Sequence, residues 1–350
     1  MPDDLSPDAL SIELDLDDEA TKKRAIHNLS GAAFIGDSLY LANDEGKKLL
    51  RLRRDGTQAS RYTMKKAIAL RDLFALRAEE IDAEREFDLE ALAVDGERLW
   101  LIGSHAMGHA APDELHPKQQ GLKRDRNRLL FGYIETENGA IKPDSGRHLR
   151  IEPVGTTYTT AFLSALRKAP PRADGFVREM STLTGTPEAS FGDIGWFTPY
   201  TLASTKENGL DIEGLAIRRR ANDASRSTAF VGLRGPVIDG LAVVVEVTIG
   251  DHKERGLTVD DEPRFHLLDL DGFGVRDLEW RGDDLLILAG PTMTRQVESA
   301  LYRWRDAGAS DAVERVGYLP MSPDGGGPEV IATIAPGSDR LMLLRDGIDG

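Results

Sequence analysis

A chain of 350 residues is longer than most single domains, but closed all-β architectures of this length fold as one unit, so no second domain is required. The absence of cysteine excludes disulfides, thiolate metal sites and cysteine nucleophiles, and is compatible with a reducing compartment. The formal net charge of −15 argues against a broad phosphate-binding face, so we expect no nucleic-acid partner.

The N-terminal residues show no basic stretch followed by an apolar run, so they do not resemble a secretory signal. No apolar run approaches the ~18 residues of a membrane-spanning helix. We therefore expect a cytoplasmic monomer without a membrane partner.

The first predicted element is a strand at residues 10–16, where apolar and polar residues alternate as in a half-buried strand. It has no neighbouring partner strand. At the other end, the sequence after residue 329 holds only two predicted strands, at 330–334 and 340–344. Because closed propellers remove exposed strand edges, we predict that the N-terminal strand completes the last blade and closes the ring.

A short apolar strand with one polar side chain near its start recurs along the chain, and this recurrence is the basis of the predicted fold. The pattern continues with a turn glycine six positions later and a leucine nine positions later, as at Glu90, Gly96 and Leu99. The recurrences centre on five residues, called here the motif residues: Ser30, Glu90, Glu213, Arg276 and Glu329. Most lie 53 to 63 residues apart, which fits four-stranded blades with extra loops and predicts an all-β, five-bladed β-propeller.

Turn and strand patterns place the boundaries of the blades. The predicted units are blade 1 at about residues 28–70, blade 2 at about 88–154, a helical insertion at about 155–208, blade 3 at about 210–271, blade 4 at about 274–320, and blade 5 at about 327–350 together with 9–17. In the insertion, Tyr158, Phe162 and Leu166 have helical spacing, and a second helix is predicted around 176–183. The alternative is a degenerate sixth blade in this region.

A loop at residues 105–127 interrupts blade 2 and is far longer than a hairpin needs. It contains His105, His109 and His116, followed by several basic residues. One interpretation is a lid that binds an anionic ligand, with His105 as general acid or base. The other is a solvated loop without a chemical role.

The first strand of each propeller blade lines the central axis, so the five motif residues should meet there. We predict a catalytic set of Glu90, Glu213, His105 and Arg276. The predicted ligand-binding set is Ser30, Asn43, Asp44, Ser104, Arg234, Asp277 and Glu329.

Three converging glutamates repel one another unless a cation lies between them. One alternative is Ca²⁺, held by the oxygen atoms of Ser30, Glu90, Glu213 and Glu329. The other is the guanidinium of Arg276, bridging two glutamates without a metal. A guanidinium beside Ca²⁺ would add like-charge repulsion, which favours the second alternative.

Two resemblances rest on these motifs. Residues 210–216, 231–236, 274–278 and 286–291 resemble an uncharacterised bacterial β-propeller family, known as domain of unknown function 3616, over nearly the whole chain. More distantly, the order of the motif residues is similar to that of calcium-activated nucleotidases of the apyrase type, five-bladed propellers with an axial calcium. That resemblance implies calcium and nucleotidase activity, but Arg276 stands where that family has a serine.

Two functional hypotheses follow. In the first, the axial channel is the active site of a hydrolase for a phosphorylated or otherwise anionic small molecule, and Glu90 or Glu213 activates water. In the second, the propeller binds a ligand or a protein without catalysis, and the axial cluster of Glu and Arg is structural.

Overall fold

The computed structural model describes residues 13–15, 28–55, 61–107, 125–155, 157–169, 195–220, 222–292, 298–319, 327–334 and 341–345. These residues form an all-β, propeller-like arrangement of mainly antiparallel sheets with few, short helices. Within the described ranges, no helix has the length and apolar character that a membrane span requires.

The first sheet is an antiparallel meander with one added parallel strand. Its strands are β1 (Glu13–Asp15), β2 (Leu29–Ile35), β3 (Ser38–Asn43), β4 (Lys48–Arg54) and β5 (Arg61–Ala69). Strand β1 pairs in parallel with β5, at the outer edge of this sheet. The prediction that the N-terminal strand completes the last blade is therefore wrong for its described part. This strand instead supplies main-chain hydrogen-bond partners for the outer edge of β5.

The second sheet repeats the meander after a connecting segment. A short helix, α1 (Leu70–Leu73), opens that segment. The strands are β6 (Leu89–Asp95), β7 (Arg98–Gly103), β8 (Phe131–Glu137), β9 (Ala140–Ile141) and β10 (Arg147–His148), with a 3₁₀ helix at Arg126–Leu129 before β8. Residues 108–124 of the predicted lid loop lie outside the described residues.

Glu80 is the buried acid of the segment between the first two sheets. Its side chain is 3% exposed and accepts hydrogen bonds from the main-chain N–H and the Nε of Arg77, at 3.2 and 2.9 Å. Its other oxygen lies 3.2 Å from Nε2 of His148. Burial by itself raises the pKa of Glu80, but the hydrogen bonds from Arg77 and the charge of His148 outweigh it and lower the pKa to about 2.

Because the pKa of Glu80 is depressed in the fold, its ionised form stabilises the protein above the ordinary pKa of 4.5, and this stabilisation is lost as pH falls toward about 2. We expect Glu80→Gln to be about 1–3 kcal/mol less stable than wild type at neutral pH, and the difference to shrink in acid. Urea unfolding at neutral pH and in acid measures this difference in stability, with the exposed Glu84→Gln as control. A difference independent of pH would contradict this role.

The predicted insertion contains a hairpin and short helices. Its elements are β11 (Glu152–Val154), β12 (Thr157–Thr159), α2 (Ala161–Lys168), α3 (Thr198–Leu202) and a 3₁₀ helix at Thr205–Glu207. Helix α2 is the helix expected from the apolar spacing; Thr160 caps it by accepting a hydrogen bond from Leu163 N–H, and Phe162 and Leu166 are buried. The second predicted helix lies outside the described residues. The described part of this region contains no four-stranded sheet of a sixth blade.

Three more sheets complete the fold. The third contains β13 (Asp211–Arg220), β14 (Asp223–Ile238), β15 (Leu241–His252), β16 (Gly256–Val259) and β17 (Arg264–Leu268). The fourth contains β18 (Gly274–Arg281), β19 (Asp284–Gly290), β20 (Ser299–Trp304) and β21 (Val313–Leu319). The described part of the last consists of β22 (Pro328–Thr333) and β23 (Leu341–Arg345).

Neighbouring sheets enclose apolar cores between them, and the last sheet packs on the first. Val330 and Met342 of the last sheet share a core with Leu39 of the first. Ile331 packs with Leu288 of the fourth sheet on the other side. The first strands contact one another in circular order, from β2 through β6, β13, β18 and β22 back to β2. Their starts therefore surround one central space.

Small residues allow these strands to approach closely. A Cβ atom at Gly232 would lie 2.4 Å from Cγ1 of Val275, and one at Gly214 would lie 3.0 Å from the same methyl group. A larger residue at Gly232 would therefore push the fourth sheet away from the third.

Candidate functional site

A β-bulge or register irregularity lies at the motif residue of every first strand. The strand pairing shifts between Leu29 and Gly31, between Leu89 and Ala91, between Ile212 and Gly214, between Val275 and Asp277, and between Pro328 and Val330. A bulge leaves one residue without an opposite partner and changes the direction of its side chain. The same device occurs at five corresponding positions, and all five motif side chains line one central cavity.

The cavity has a volume of about 300 Å³ and is lined mainly by charged side chains. Its carboxylates are Asp44, Asp88, Glu90, Asp211, Glu213 and Glu329, and its guanidinium groups are Arg128, Arg234 and Arg276. Asn28, Leu29, Ser30, Ala106 and Thr205 complete the lining. Six carboxylates therefore face three arginines.

On one side of the cavity, two arginines and three carboxylates form a continuous chain of ion pairs. Nη1 of Arg276 lies 3.0 Å from Oε2 of Glu213, and its Nη2 contacts Glu329. Nη1 of Arg234 lies 2.6 Å from Oε1 of Glu213, and its Nη2 contacts Asp211. Arg276 thus joins the third sheet to the last one.

The buried part of this chain is Glu213, which is 7% exposed. Burial raises the pKa of Glu213 to about 8, although the charges of Arg276 and Arg234 lower it. Burial lowers the pKa of Arg276, but the charges of Glu213 and Glu329 outweigh this effect, so the pKa is raised. The two arginines therefore reduce, but do not cancel, the cost of a negative charge on buried Glu213.

Another part of the cavity wall is built around Asp88. The hydroxyl group of Ser104 donates a hydrogen bond to Asp88, and Nε of Arg128 lies 3.1 Å from the same carboxylate. The hydroxyl group of Ser30 donates to the main-chain carbonyl of Leu89. These contacts hold the starts of β2 and β6 together.

Glu90 differs from the other motif residues because its carboxylate forms no hydrogen bond or ion pair with the residues that the structure describes. It is half-buried and lines the cavity. Burial and the nearby charges of Asp88, Glu213, Asp211 and Asp44 raise the pKa of Glu90 well above its ordinary value. The cavity therefore contains one carboxyl group whose negative charge is poorly compensated.

The structure brings seven of the predicted site residues to the cavity: Ser30, Asp44, Glu90, Glu213, Arg234, Arg276 and Glu329. Four others do not line it: Asn43, Ser104, His105 and Asp277. Asn43 is buried at the end of β3, and Ser104 acts behind the lining by holding Asp88.

His105 does not reach the cavity and does not fit the predicted acid–base role. Its side chain is fully buried, and its ring packs edge-on against Phe162 of α2 with 5.5 Å between ring centroids. Its Nδ1 lies 2.9 Å from the carbonyl oxygen of Gly103. The backbone at His105 adopts a φ of +53°, which turns the chain and directs the ring into the apolar core.

Asp277 follows the bulge at Arg276 and points away from the cavity. It is 4% exposed and accepts hydrogen bonds from the main-chain N–H of Leu278 at 2.8 Å and of Ile331 in β22 at 2.9 Å. Two residues further, Glu279 accepts from the N–H of Thr333 at 2.9 Å. The two carboxyl groups therefore attach β18 to the backbone of β22, outside the cavity.

Three charged residues of the lining were missing from the predicted site: Asp88, Asp211 and Arg128. Asp88 and Asp211 lie two positions before Glu90 and Glu213, so the same Asp-x-Glu pattern stands at the start of both first strands. This spacing was available in the sequence. The role of Arg128 depends on the path of the chain from β7 to β8, which no local pattern indicates.

The proposed calcium ligands do not fit a metal site in this arrangement. A calcium ion requires six to eight oxygen ligands at about 2.3–2.6 Å. Here Arg276 lies between Glu213 and Glu329, and the hydroxyl group of Ser30 donates to a main-chain carbonyl. In the described ranges, no group of three or more His, Asp or Glu side chains is arranged to hold a metal ion.

The fold and the cavity define an all-β, propeller-like protein with a charged central site. The chain belongs to the family described as Protein of unknown function (DUF3616), whose model matches residues 28–169 and 188–344. No curated protein matches the chain.

Solved structures resemble the chain only distantly. A GH43_1 enzyme from Xanthomonas citri complexed with xylose has 10% identity, with 89% of this chain and 79% of that chain covered and a TM-score of 0.41. A putative 6-phosphogluconolactonase from Bacteroides fragilis has 9% identity, coverage of 90% and 76%, and a TM-score of 0.35. A structure described as glucose dehydrogenase has 13% identity, coverage of 92% and 94%, and a TM-score of 0.37. Structural similarity at this level does not indicate an activity.

Proposed function

We propose that the chain is a closed five-bladed β-propeller whose central cavity binds a small polar molecule. Five sheets in chain order, each with a motif residue at the start of its first strand, support the number of blades. The apolar core shared by the last and first sheets supports closure. Closure also explains how a last sheet with only two described strands is held, because it packs between two larger ones.

The observation that carries the binding function is the convergence of five bulged side chains on one cavity. Bulges are typical of places where a side chain must be redirected, and here each of them directs a side chain toward the same space. A volume of about 300 Å³ is at the lower end of the range of small-molecule sites. The site therefore suits a small, polar ligand rather than a protein.

The charges favour a different ligand from the anion expected from the sequence. All three arginines of the cavity are already paired with carboxylates, and carboxylates outnumber them by two to one. A phosphorylated ligand would have to break these pairs and approach the remaining negative charges. We therefore propose a neutral or positively charged ligand.

A compound screen by thermal shift and calorimetry, with variants of matched chemistry, tests the site. Ser30→Met would place a larger side chain in the cavity, and Ser225→Met would place the same side chain on an exposed strand. We expect compounds that bind wild type and Ser225→Met with Kd below about 1 mM to lose at least about tenfold in affinity for Ser30→Met. Equal affinities for both variants would place the ligand elsewhere and contradict the proposal.

A second candidate function is a hydrolase, and the state of Glu90 favours it. A carboxyl group with a raised pKa in a cavity can donate a proton to a leaving group, while nearby ionised carboxylates stabilise positive charge that develops on the substrate. In that case Glu90→Gln should lose about 10²–10⁴-fold in kcat but still bind substrate. The exposed Glu254→Gln is the matched control. Full activity of Glu90→Gln would exclude this role.

A further inference from the structure

The charges of the cavity are distributed unequally along its wall. On the side of Glu213 and Glu329, two arginines accompany three carboxylates. On the side of Asp44, Asp88 and Glu90, Arg128 is the one guanidinium group in the described lining, and its ion pair is with Asp88. Glu90 is therefore the acidic motif residue that no arginine of the described lining contacts directly.

We infer that the ligand of the central cavity is a small organic cation, such as a primary amine or a diamine, held beside Glu90 and Asp44. This inference rests on the binding function proposed above and specifies its ligand class. Glu90 supplies a carboxylate without a hydrogen bond or ion pair to any described residue, and Asp44 supplies a second acidic group close enough to act on it electrostatically.

The neighbours of Glu90 explain why a cation is favoured over a neutral molecule. Asp88, Asp211, Glu213 and Asp44 all oppose a negative charge on Glu90, and burial opposes it as well. A positive charge placed between these groups relieves the repulsion and stabilises ionised Glu90 at the same time. Arg234 acts on Glu90 electrostatically, but its direct ion pairs are with Asp211 and Glu213.

The spacing of the acidic groups favours an organic cation over a metal ion. A metal ion needs several oxygen atoms within about 2.6 Å, and the described side chains form no such group. The acidic groups instead border a cavity of about 300 Å³, within the size range of small-molecule sites. An ammonium group can reach carboxylates on such a border through hydrogen bonds while its carbon chain occupies the remaining space.

Isothermal titration calorimetry near neutral pH tests the inference with three probes: putrescine, calcium chloride and inorganic phosphate. We expect putrescine to bind and phosphate not to bind. Glu90→Gln should weaken putrescine binding by at least about tenfold, as should Asp44→Asn, because each removes one charge-assisted contact. Glu254→Gln, which changes an exposed acid in the same way, should leave the affinity unchanged. Higher salt should also weaken binding.

Several results would overturn the inference. Among them are binding of phosphate, binding of calcium in competition with putrescine, absence of putrescine binding, and unchanged affinity in Glu90→Gln. Glu90→Gln replaces a carboxyl group whose ionised form its neighbours disfavour, so we expect the variant to fold, and circular dichroism checks this. If an uncharged compound binds in a Ser30-dependent manner while putrescine does not, the ligand class is wrong and the cavity remains the site. If no compound depends on Ser30, the binding function fails too.

Discussion

Arg276→Met is expected to lower the free energy of unfolding by about 3–5 kcal/mol, the range measured when one partner of a buried ion pair is removed. Arg276 is 13% exposed and its guanidinium contacts both Glu213 and Glu329. Methionine preserves much of the apolar side-chain volume but leaves these two carboxylates facing each other without a bridging cation. Urea unfolding followed by circular dichroism measures the change.

An exposed arginine–glutamate pair provides the control for this variant. Arg305 and Glu314 are 2.9 Å apart and about 60% exposed, so Arg305→Met should cost only about 0–1 kcal/mol. In the double variant Arg276→Met/Glu329→Gln, part of the stability should return, because one uncompensated charge is removed with its partner. If Arg276→Met is no less stable than Arg305→Met, Arg276 does not hold the sheets together.

Asp277→Ala is expected to lower the free energy of unfolding by about 2–4 kcal/mol. The substitution removes the acceptor for two buried main-chain N–H groups, one of them on Ile331 in the neighbouring sheet. Together with the hydrogen bond from Thr333 to Glu279, this contact joins the backbone of β22 to β18. Hydrogen exchange of the Ile331 amide, compared with global unfolding, shows whether the loss is local to that junction.

The chemistry of the side chain distinguishes a structural role from a role in binding. Asp277→Asn retains one acceptor oxygen and should cost less than Asp277→Ala. Asp283→Ala, on the turn after β18, changes an aspartate that is 95% exposed and should have an effect within about 0.5 kcal/mol. Ligand affinity per folded molecule should be unchanged in Asp277→Asn. A specific loss of ligand affinity in Asp277→Asn would indicate that Asp277 belongs to the binding site.

Local patterns in the sequence were sufficient to locate the elements around the site. The apolar strand that starts at Asp211 and the turn glycines Gly36, Gly96 and Gly282 are short-range signals, because strand alternation and positive φ depend on neighbouring residues. Their recurrence in register indicated that Glu213 would meet four other motif residues. The two-residue spacing that also places Asp211 in the cavity was part of the same signal.

The orientation of individual side chains depended on contacts distant in sequence. Arg276 and Asp277 are neighbours in the chain, but the bulge in β18 directs the first into the cavity and the second toward the backbone of β22. His105 is polar and follows a strand like Ser104, but the packing of α2 places its ring in the core. Neither outcome has a signature in local periodicity.

The sequence by itself determined the repeated first strands and the identity of the charges that meet at their starts, because both follow from local spacing and from the symmetry of a repeat. Tertiary structure decided which charges neutralise one another. Arg276 bridges Glu213 and Glu329, Arg234 bridges Asp211 and Glu213, and Glu90 forms no such pair within the described part of the chain. Pairing between side chains depends on distances of a few ångströms across different sheets, and these distances are set by bulges and packing that arise only when the sheets come together.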